Sequence, residues 1–423
     1  MTSRVVVTGL GVLAPNAHGL NVFEIALRNG ISGIRHSSLL EELGFSCQVV
    51  GIPQNVDVLK QQYLSTQALM AMNSSMVFAA IAAIDCWRDA GFEVIDPSEN
   101  IVDWDTGAII GTGVGGTETI GGPVAQFTDQ KKVKRLGSTM VEQSMASAAS
   151  ACVGGLLGLG GQITTNSSAC STGTEAIINA FWIIKEGRLK RMLAGATEGV
   201  SQYTWATFDA MRVLARGFNG TPELASRPMS QTASGFVPGA GSGVLMLESL
   251  ESAQERGAKI YAEIIGVEVN CGGQRNGGSI SAPNSVGVVR CVQKAINMAK
   301  VTYKDLDLIN GHLTATMADP LEISNWQNAL QCNAKEFPLI NSTKSLIGHT
   351  LGAAGAIECV GGILQLYKGF IHGSINCEDL HFKLEQFSDS IVHQTKEKDL
   401  NIVAKASFGF GDVNACLIFK RWN

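Results

Sequence analysis

The chain has 423 residues, of which 45% are hydrophobic and only 16% charged, a balance that excludes intrinsic disorder and calls for a large buried fraction. With 32 Lys and Arg against 37 Asp and Glu the net charge is −5, which excludes nucleic-acid binding through bulk positive charge. Ten scattered cysteines include no Cys-x-x-Cys pair, which excludes zinc-ribbon and thioredoxin-like motifs and fits the reduced, buried thiols of a cytoplasmic protein.

In chain order, RVVVTGLGVL (4–13) is rich in β-branched residues and broken by Gly9 and Gly11, so it predicts a buried first strand rather than a secretory leader. Residues 66–91 carry apolar side chains at helical spacing and predict one helix ending at Gly91. A strand and Gly-rich loop follow at 106–116. The stretch 143–174 holds no charge, yet its Gly, Ser, Thr and Asn make a poor membrane span; it fits a buried segment or a subunit interface. Residues 171–187 predict a helix with Ala176, Ile177, Ala180, Phe181 and Ile184 on one face and Gly187 as its stop. Residues 190–199 predict another short strand.

The order strand, loop, small-residue helix recurs. It occurs at 107–185, and again where a strand and loop at 305–315 precede FPLINSTKSLIGHTLGAAGAIE (337–358). Alternating strands and helices predict an α/β protein with helices covering sheets. The echo predicts two related halves, 1–255 and 256–423, with the boundary in a charged segment near 250–262.

Cys170, in NSSACSTGT, falls where a loop enters a helix. The positive end of the helix dipole favours a thiolate there, and the small neighbours leave room for a substrate. His312 and His349, two of seven histidines, each follow a predicted strand. Two neutral imidazoles beside a cysteine would donate to a developing oxyanion or move protons. These residues alone leave open a structural thiol and two histidines with satisfied hydrogen bonds. A zinc site is allowed by ligand type but unsupported by spacing.

The motifs RVVVTGLGVLAP, GVGGTET, SSACSTGTEAI, GFVPGAGSGVLMLE, STKSLIGHTLGAAGAIE and SFGFGDVNA occur in this order over nearly the whole length. In them the chain resembles the β-ketoacyl-[acyl carrier protein] synthases of the type I/II branch, within the thiolase-like superfamily. The resemblance implies a thiolase-like fold, two pseudo-repeated α/β halves in α-β-α-β-α layers. It implies an acyltransferase that condenses an acyl group with malonyl carrier, with loss of carbon dioxide, in fatty-acid or specialised polyketide or polyene synthesis. It implies Cys170 as nucleophile, His312 and His349 as the pair that binds the malonyl thioester carbonyl, and Lys344 with its acidic partner Glu358 as support for His349. Phe410 matches a gating phenylalanine whose N–H, with that of Cys170, forms the oxyanion hole. Thr314 and Thr316 match residues that hold the phosphopantetheine arm, and Phe208 an aromatic of the acyl channel.

The implied partners are an acidic acyl carrier protein, met by Lys131, Lys132, Lys134, Arg135 and Arg212, and a second ketosynthase subunit in a homodimer or heterodimer. No metal, cofactor, nucleic acid or membrane span is expected. Departures from the usual pattern are Leu313 for Gly after the first histidine, Asp412 ending the GFG loop, Ala240 between Gly239 and Gly241, and Ser234 for Asp. They point to an altered acyl pocket or partner. The alternative is a chain-length-determining partner of a heterodimer, against which Cys170 speaks. A degradative thiolase would carry a second cysteine where His312 and His349 stand.

Overall fold

In the computed structural model, which describes residues 3–422, ten of the eleven strands of the central sheet form its main path: β1 (Val5–Ala14), β2 (Thr106–Gly111), β3 (Ile163–Thr164), β4 (Arg191–Glu198), β5 (Gly241–Ser249), β6 (Ala262–Cys271), β7 (Leu308–Asn310), β8 (Leu339–Asn341), β9 (Ile402–Gly409) and β10 (Val413–Arg421). Their order across the sheet is β8-β7-β9-β10-β6-β1-β5-β4-β2-β3. This order is a palindrome about the β1–β6 pair. On each side two antiparallel pairings run outward from the centre, followed by two parallel ones. The join itself is slight, with Val5, Val6 and Val7 opposite Ile264, Glu263 and Ala262.

The main helices are α1 (Ser74–Asp89), α2 (Ala148–Leu157), α3 (Thr172–Lys185), α4 (Gln202–Ala210), α5 (Ser285–Ala299), α6 (Asp319–Leu330) and α7 (Ala354–Lys368). α3 and α7 pack between the two half-sheets and touch strands of both. α1 and α2 cover the outer face of one half-sheet, α5 and α6 that of the other. The layers are therefore α-β-α-β-α, as the resemblance implied. Strands buried on both faces explain their nearly continuous apolar sequence: in β10, Leu417 and Phe419 face α3 and α7 while Cys416 and Ile418 face the outer layer.

Two small-residue helices fill the middle because their backbones approach closely. A Cβ added at Gly173 of α3 would lie 2.6 Å from the Ala356 nitrogen of α7. One added at Gly355 of α7 would strike the Thr174 hydroxyl of α3. The contacts 173–356 and 355–174 mirror one another, as the sheet order does. Each helix is also entered through a 3₁₀ turn whose first residue is left-handed, Ala169 at φ 48° and Leu351 at φ 49°.

One expected element differs. The single helix expected at 66–91 is a short turn, Thr66–Leu69, followed by α1. Asn73 separates them: its backbone is extended and its side chain accepts from the Met76 N–H, an N-cap that starts a new helix. In the segment 305–315 the strand expected ahead of His312 is β7, and the left-handed Leu313 and Ala315 lie beyond its end. Among the described residues no helix is long and apolar enough to cross a membrane, and all ten cysteines are free.

Gly355→Ala is expected to lower stability by about 1–3 kcal/mol through overpacking. Gly220→Ala, which meets open space, is expected to change it by less than about 0.5 kcal/mol. Denaturant midpoints of the two variants check the contrast.

Candidate active site

Cys170 lies on the turn that leads into α3. The Thr172 hydroxyl laces this turn, donating to Ala169 O at 2.7 Å and accepting from the Ser168 N–H at 2.9 Å. Ser171 Oγ donates across to Val413 O at 2.9 Å, so the cysteine's turn is tied to β10 in the other half of the sheet. His349 lies at the corresponding entry to α7, its N–H bonded to Val237 O at 2.7 Å. The mirrored entries meet: His349 Nε2 is 3.1 Å from Cys170 Sγ. His312 follows β7, and its ring packs edge-on against that of His349 at 5.4 Å between centroids. The cysteine sulfur and one nitrogen of each imidazole lie within 4.8 Å of one another.

The hydrogen bonds fix the ring tautomers. The Leu351 N–H donates to His349 Nδ1 at 3.2 Å, and the Lys344 ammonium lies 3.4 Å from His312 Nδ1. Both Nδ1 atoms accept, so each neutral ring carries its proton on Nε2. Burial holds both histidines well below their usual pKa, and Lys344 lowers them further. The pair therefore presents two N–H donors at neutral pH. Burial also pushes the Cys170 thiol up to about 11. Lys344 and the backbone N–H groups of Phe410 and Cys170 favour the thiolate but do not overcome desolvation. The helix-entry position thus favours the thiolate without offsetting the desolvation.

Lys344 contacts His312, not His349 as the resemblance implied. Its ammonium is buried and lies 2.5 Å from Glu358 Oε1, while Lys405 Nζ lies 2.9 Å from Glu358 Oε2 as an ion pair without hydrogen-bond geometry. One buried carboxylate thus serves two buried ammonium groups. The same three side chains, Cys170, His312 and His349, have the ligand types of a zinc site, but an ammonium 3.4 Å from one ring opposes a dication there.

Cys170, His312, His349, Phe208, Thr314, Thr316 and Phe410 line one cavity of about 280 Å³. Thr314 and Thr316 bring their hydroxyls within 3.0 Å of each other. Phe208, on α4, lies 6.1 Å from the Phe410 ring. Arg212 is exposed beside Met211 of the cavity wall; Lys131, Lys132, Lys134 and Arg135 are exposed too, but none of them lines the cavity.

Four acidic and basic groups that sequence reasoning passed over organise the site. Glu322 accepts from the N–H groups of His312 at 2.6 Å and Leu313 at 2.7 Å; Asp319 accepts from Thr314 at 2.9 Å and Ala315 at 3.1 Å. Both sit in the first turn of α6, where the helix dipole favours negative charge. They hold a strained segment. Leu313 has φ 23°, unfavourable for a bulky residue, and is kept there by these bonds and by its fully buried apolar side chain. Glu198 ties Gly113 to Gly352, the residue after Leu351. Burial raises Glu198 and Glu322 to about 7. Lys405 was signalled only as a lone charge inside the apolar run IVAKASFG.

Because the folded histidines titrate below 6.5, the unfolded chain binds the extra proton first, and stability is lost as pH falls through 6.5. The stability difference between the unaltered chain and His312→Gln is expected to shrink by roughly 1 kcal/mol between pH 7.5 and 5.5, read from denaturation at the two pH values.

Comparison with known proteins gives a consistent set. Residues 2–253 match the family model described as beta-ketoacyl synthase, N-terminal domain, and residues 261–378 its C-terminal domain. The chain is 34% identical to the 3-oxoacyl-[acyl-carrier-protein] synthase 1 of Haemophilus influenzae over 99% of both chains. The solved ishigamide ketosynthase/chain length factor superposes with TM-score 0.89 at 26% identity over the whole of both chains. A type II polyketide synthase acyl-carrier protein in complex with its ketosynthase bound to the hexaketide superposes with TM-score 0.87 at 27% identity, again over the whole of both chains.

Proposed function

Because the chain belongs to the β-ketoacyl synthase family, we propose that it joins an acyl group, held as a thioester on Cys170, to malonyl-acyl carrier protein, releasing carbon dioxide and 3-oxoacyl carrier. The observation that carries this is the 3.1 Å approach of His349 Nε2 to Cys170 Sγ, with His312 beside them in one cavity.

In the first step Cys170 Sγ attacks the acyl carbonyl of a carrier thioester; the C–S bond to the carrier breaks, and the thiol proton leaves with the carrier sulfur. One difficult step becomes two easier ones. The His349 Nε2–H and the N–H groups of Phe410 and Cys170 favour the anionic sulfur only as the reaction develops charge. Next, the malonyl carboxylate breaks its bond to carbon, carbon dioxide leaves, and the electron pair passes into an enolate. Its oxygen accepts from the Nε2–H groups of His312 and His349. Because both rings are held neutral, they donate without holding a proton that the enolate would take. The enolate carbon then attacks the acyl carbonyl on Cys170. The N–H groups of Phe410 and Cys170 hold the resulting oxyanion, and its collapse expels the Cys170 thiolate, which takes a proton from water. Lys344, positioned by Glu358, keeps His312 Nδ1 an acceptor.

Thr314 and Thr316 hold the phosphopantetheine arm, and Phe208 and Phe410 meet the acyl chain. The acyl carrier protein docks on basic residues, Arg212 at the cavity mouth and Lys131, Lys132, Lys134 and Arg135 beyond it. The functional unit is a dimer, with the same chain or a related ketosynthase subunit, through the uncharged 143–174 region. The chain divides near residue 255 into a half with the sulfur, 1–255, and a half with both imidazoles, 256–423; the mirrored strand order supports the division. Ten free thiols fit a cytoplasmic setting.

Intact-protein mass spectrometry after incubation with acyl carrier, alongside light scattering, tests the reading. It predicts a dimer that gains one acyl group, and no adduct or condensation in Cys170→Ala. A folded dimer that takes no acyl group from any donor would instead assign the chain-length partner role.

A further inference from the structure

The hairpin turn that carries Phe410 continues through Gly411 at φ 89° and Asp412 at φ 64°, two successive left-handed residues. Such positions favour glycine, and aspartate is one of the few side chains that tolerate them. Asp412 is fully buried. Its carboxylate faces backbone: Oδ1 accepts from the Asn284 N–H at 2.7 Å and Oδ2 from the Gln274 N–H at 2.9 Å. Both donors belong to the segment 272–284, most of which is exposed.

Three further hydrogen bonds complete the joint. Gly272 N–H donates to Asp412 O at 2.9 Å, Gly411 N–H to Ile280 O at 2.7 Å, and Asn284 Nδ2 to Gly272 O at 2.9 Å. Asn284 also caps α5, its side chain accepting from the Val286 N–H at 2.9 Å. From this loop and helix, Ser281, Pro283 and Val288 line the same cavity as Phe410 and Cys170. Burying a carboxylate is costly unless donors satisfy it. Glycine would meet the backbone requirement without that cost, so what aspartate adds is the pair of bonds across to the loop.

Resting on the function proposed above, we infer that Asp412 is a positioning residue for acyl-donor selection: it clamps the 272–284 loop onto the Phe410 turn and so sets which acyl thioesters reach Cys170. The clamp fixes the spacing between Phe410 and the Ser281–Pro283 wall. Asp412 itself does not touch the reacting atoms.

Two variants separate this role from a merely structural one. Asp412→Gly keeps the backbone conformation and loses both bonds; Asp412→Asn keeps the shape and one acceptor. Hydrogen–deuterium exchange reads the clamp, and intact-mass rates of Cys170 acylation from a panel of acyl-carrier donors of increasing chain length read the selection. In Asp412→Gly, exchange at Gln274 and Asn284 should rise at least tenfold, and the ratio of long-chain to short-chain acylation should shift by about tenfold, the scale of a pocket contact. Asp412→Asn should fall between, and supplies both readouts if the glycine variant fails to fold. Unchanged exchange overturns the clamp. Raised exchange with all donors slowed equally overturns the selection role. An unaltered chain that accepts no acyl donor refutes the functional reading and the selection role together, while exchange still decides the clamp.

Discussion

The site depends on how closely α3 and α7 approach. Gly173 and Gly355 let the two helices approach until a Cβ at either position would strike the other helix. Each helix is entered by a left-handed residue and a 3₁₀ turn, so close approach of the helices brings the turns together as well. Cys170 is on one turn and His349 precedes the other. Their contact is therefore a consequence of internal near-symmetry: the strand palindrome, the paired glycines and the matched turns are one constraint seen at three scales. His312 joins from β7, the counterpart of β2, across the same axis.

Bringing these groups together also removes them from water, and desolvation is the largest influence on each of them. It raises the thiol, lowers both imidazoles and lifts Glu198 and Glu322 to about 7. The outcome is a site whose two imidazoles rest neutral and line one cavity with Cys170. Such preorganised donors act strongly because little solvent competes with them. Lys344, Lys405 and Glu358 are paired within a fully buried cluster. Removing one member of such a cluster leaves an uncompensated buried charge, which makes its geometry stiff.

Much of this was legible in the sequence. The small residues around Cys170 and along 351–358 marked both central helices, and β1, β2 and β4 followed from β-branched and apolar runs. Cys170 was marked by its entry to a helix and its small neighbours, and His312 and His349 by their place after strands, but their joint role rested on the resemblance. What escaped was lateral placement. Nothing local tells that Lys344 reaches His312 and not His349, or that Lys405 shares Glu358, because those partners come from separate strands and helices. Glu322 and Asp319 read only as acidic residues opening a helix; their hold on the His312–Ala315 backbone needs the tertiary fold. The break at Asn73 is a capping choice that apolar periodicity masks. Helix entry at Cys170 is visible in sequence, whereas the desolvation that opposes the thiolate there is not.

The central claim is that two neutral imidazoles, brought from separate segments, donate to one developing oxyanion. Its most direct measurement is carbon dioxide release from malonyl carrier by His312→Ala and His349→Ala, each purified and shown to be folded. The account predicts that both variants lose on the order of 10²–10³ in rate, as loss of one oxyanion donor does. Release within about twofold of the unaltered chain in either variant would contradict it, for one imidazole would then stand outside the chemistry.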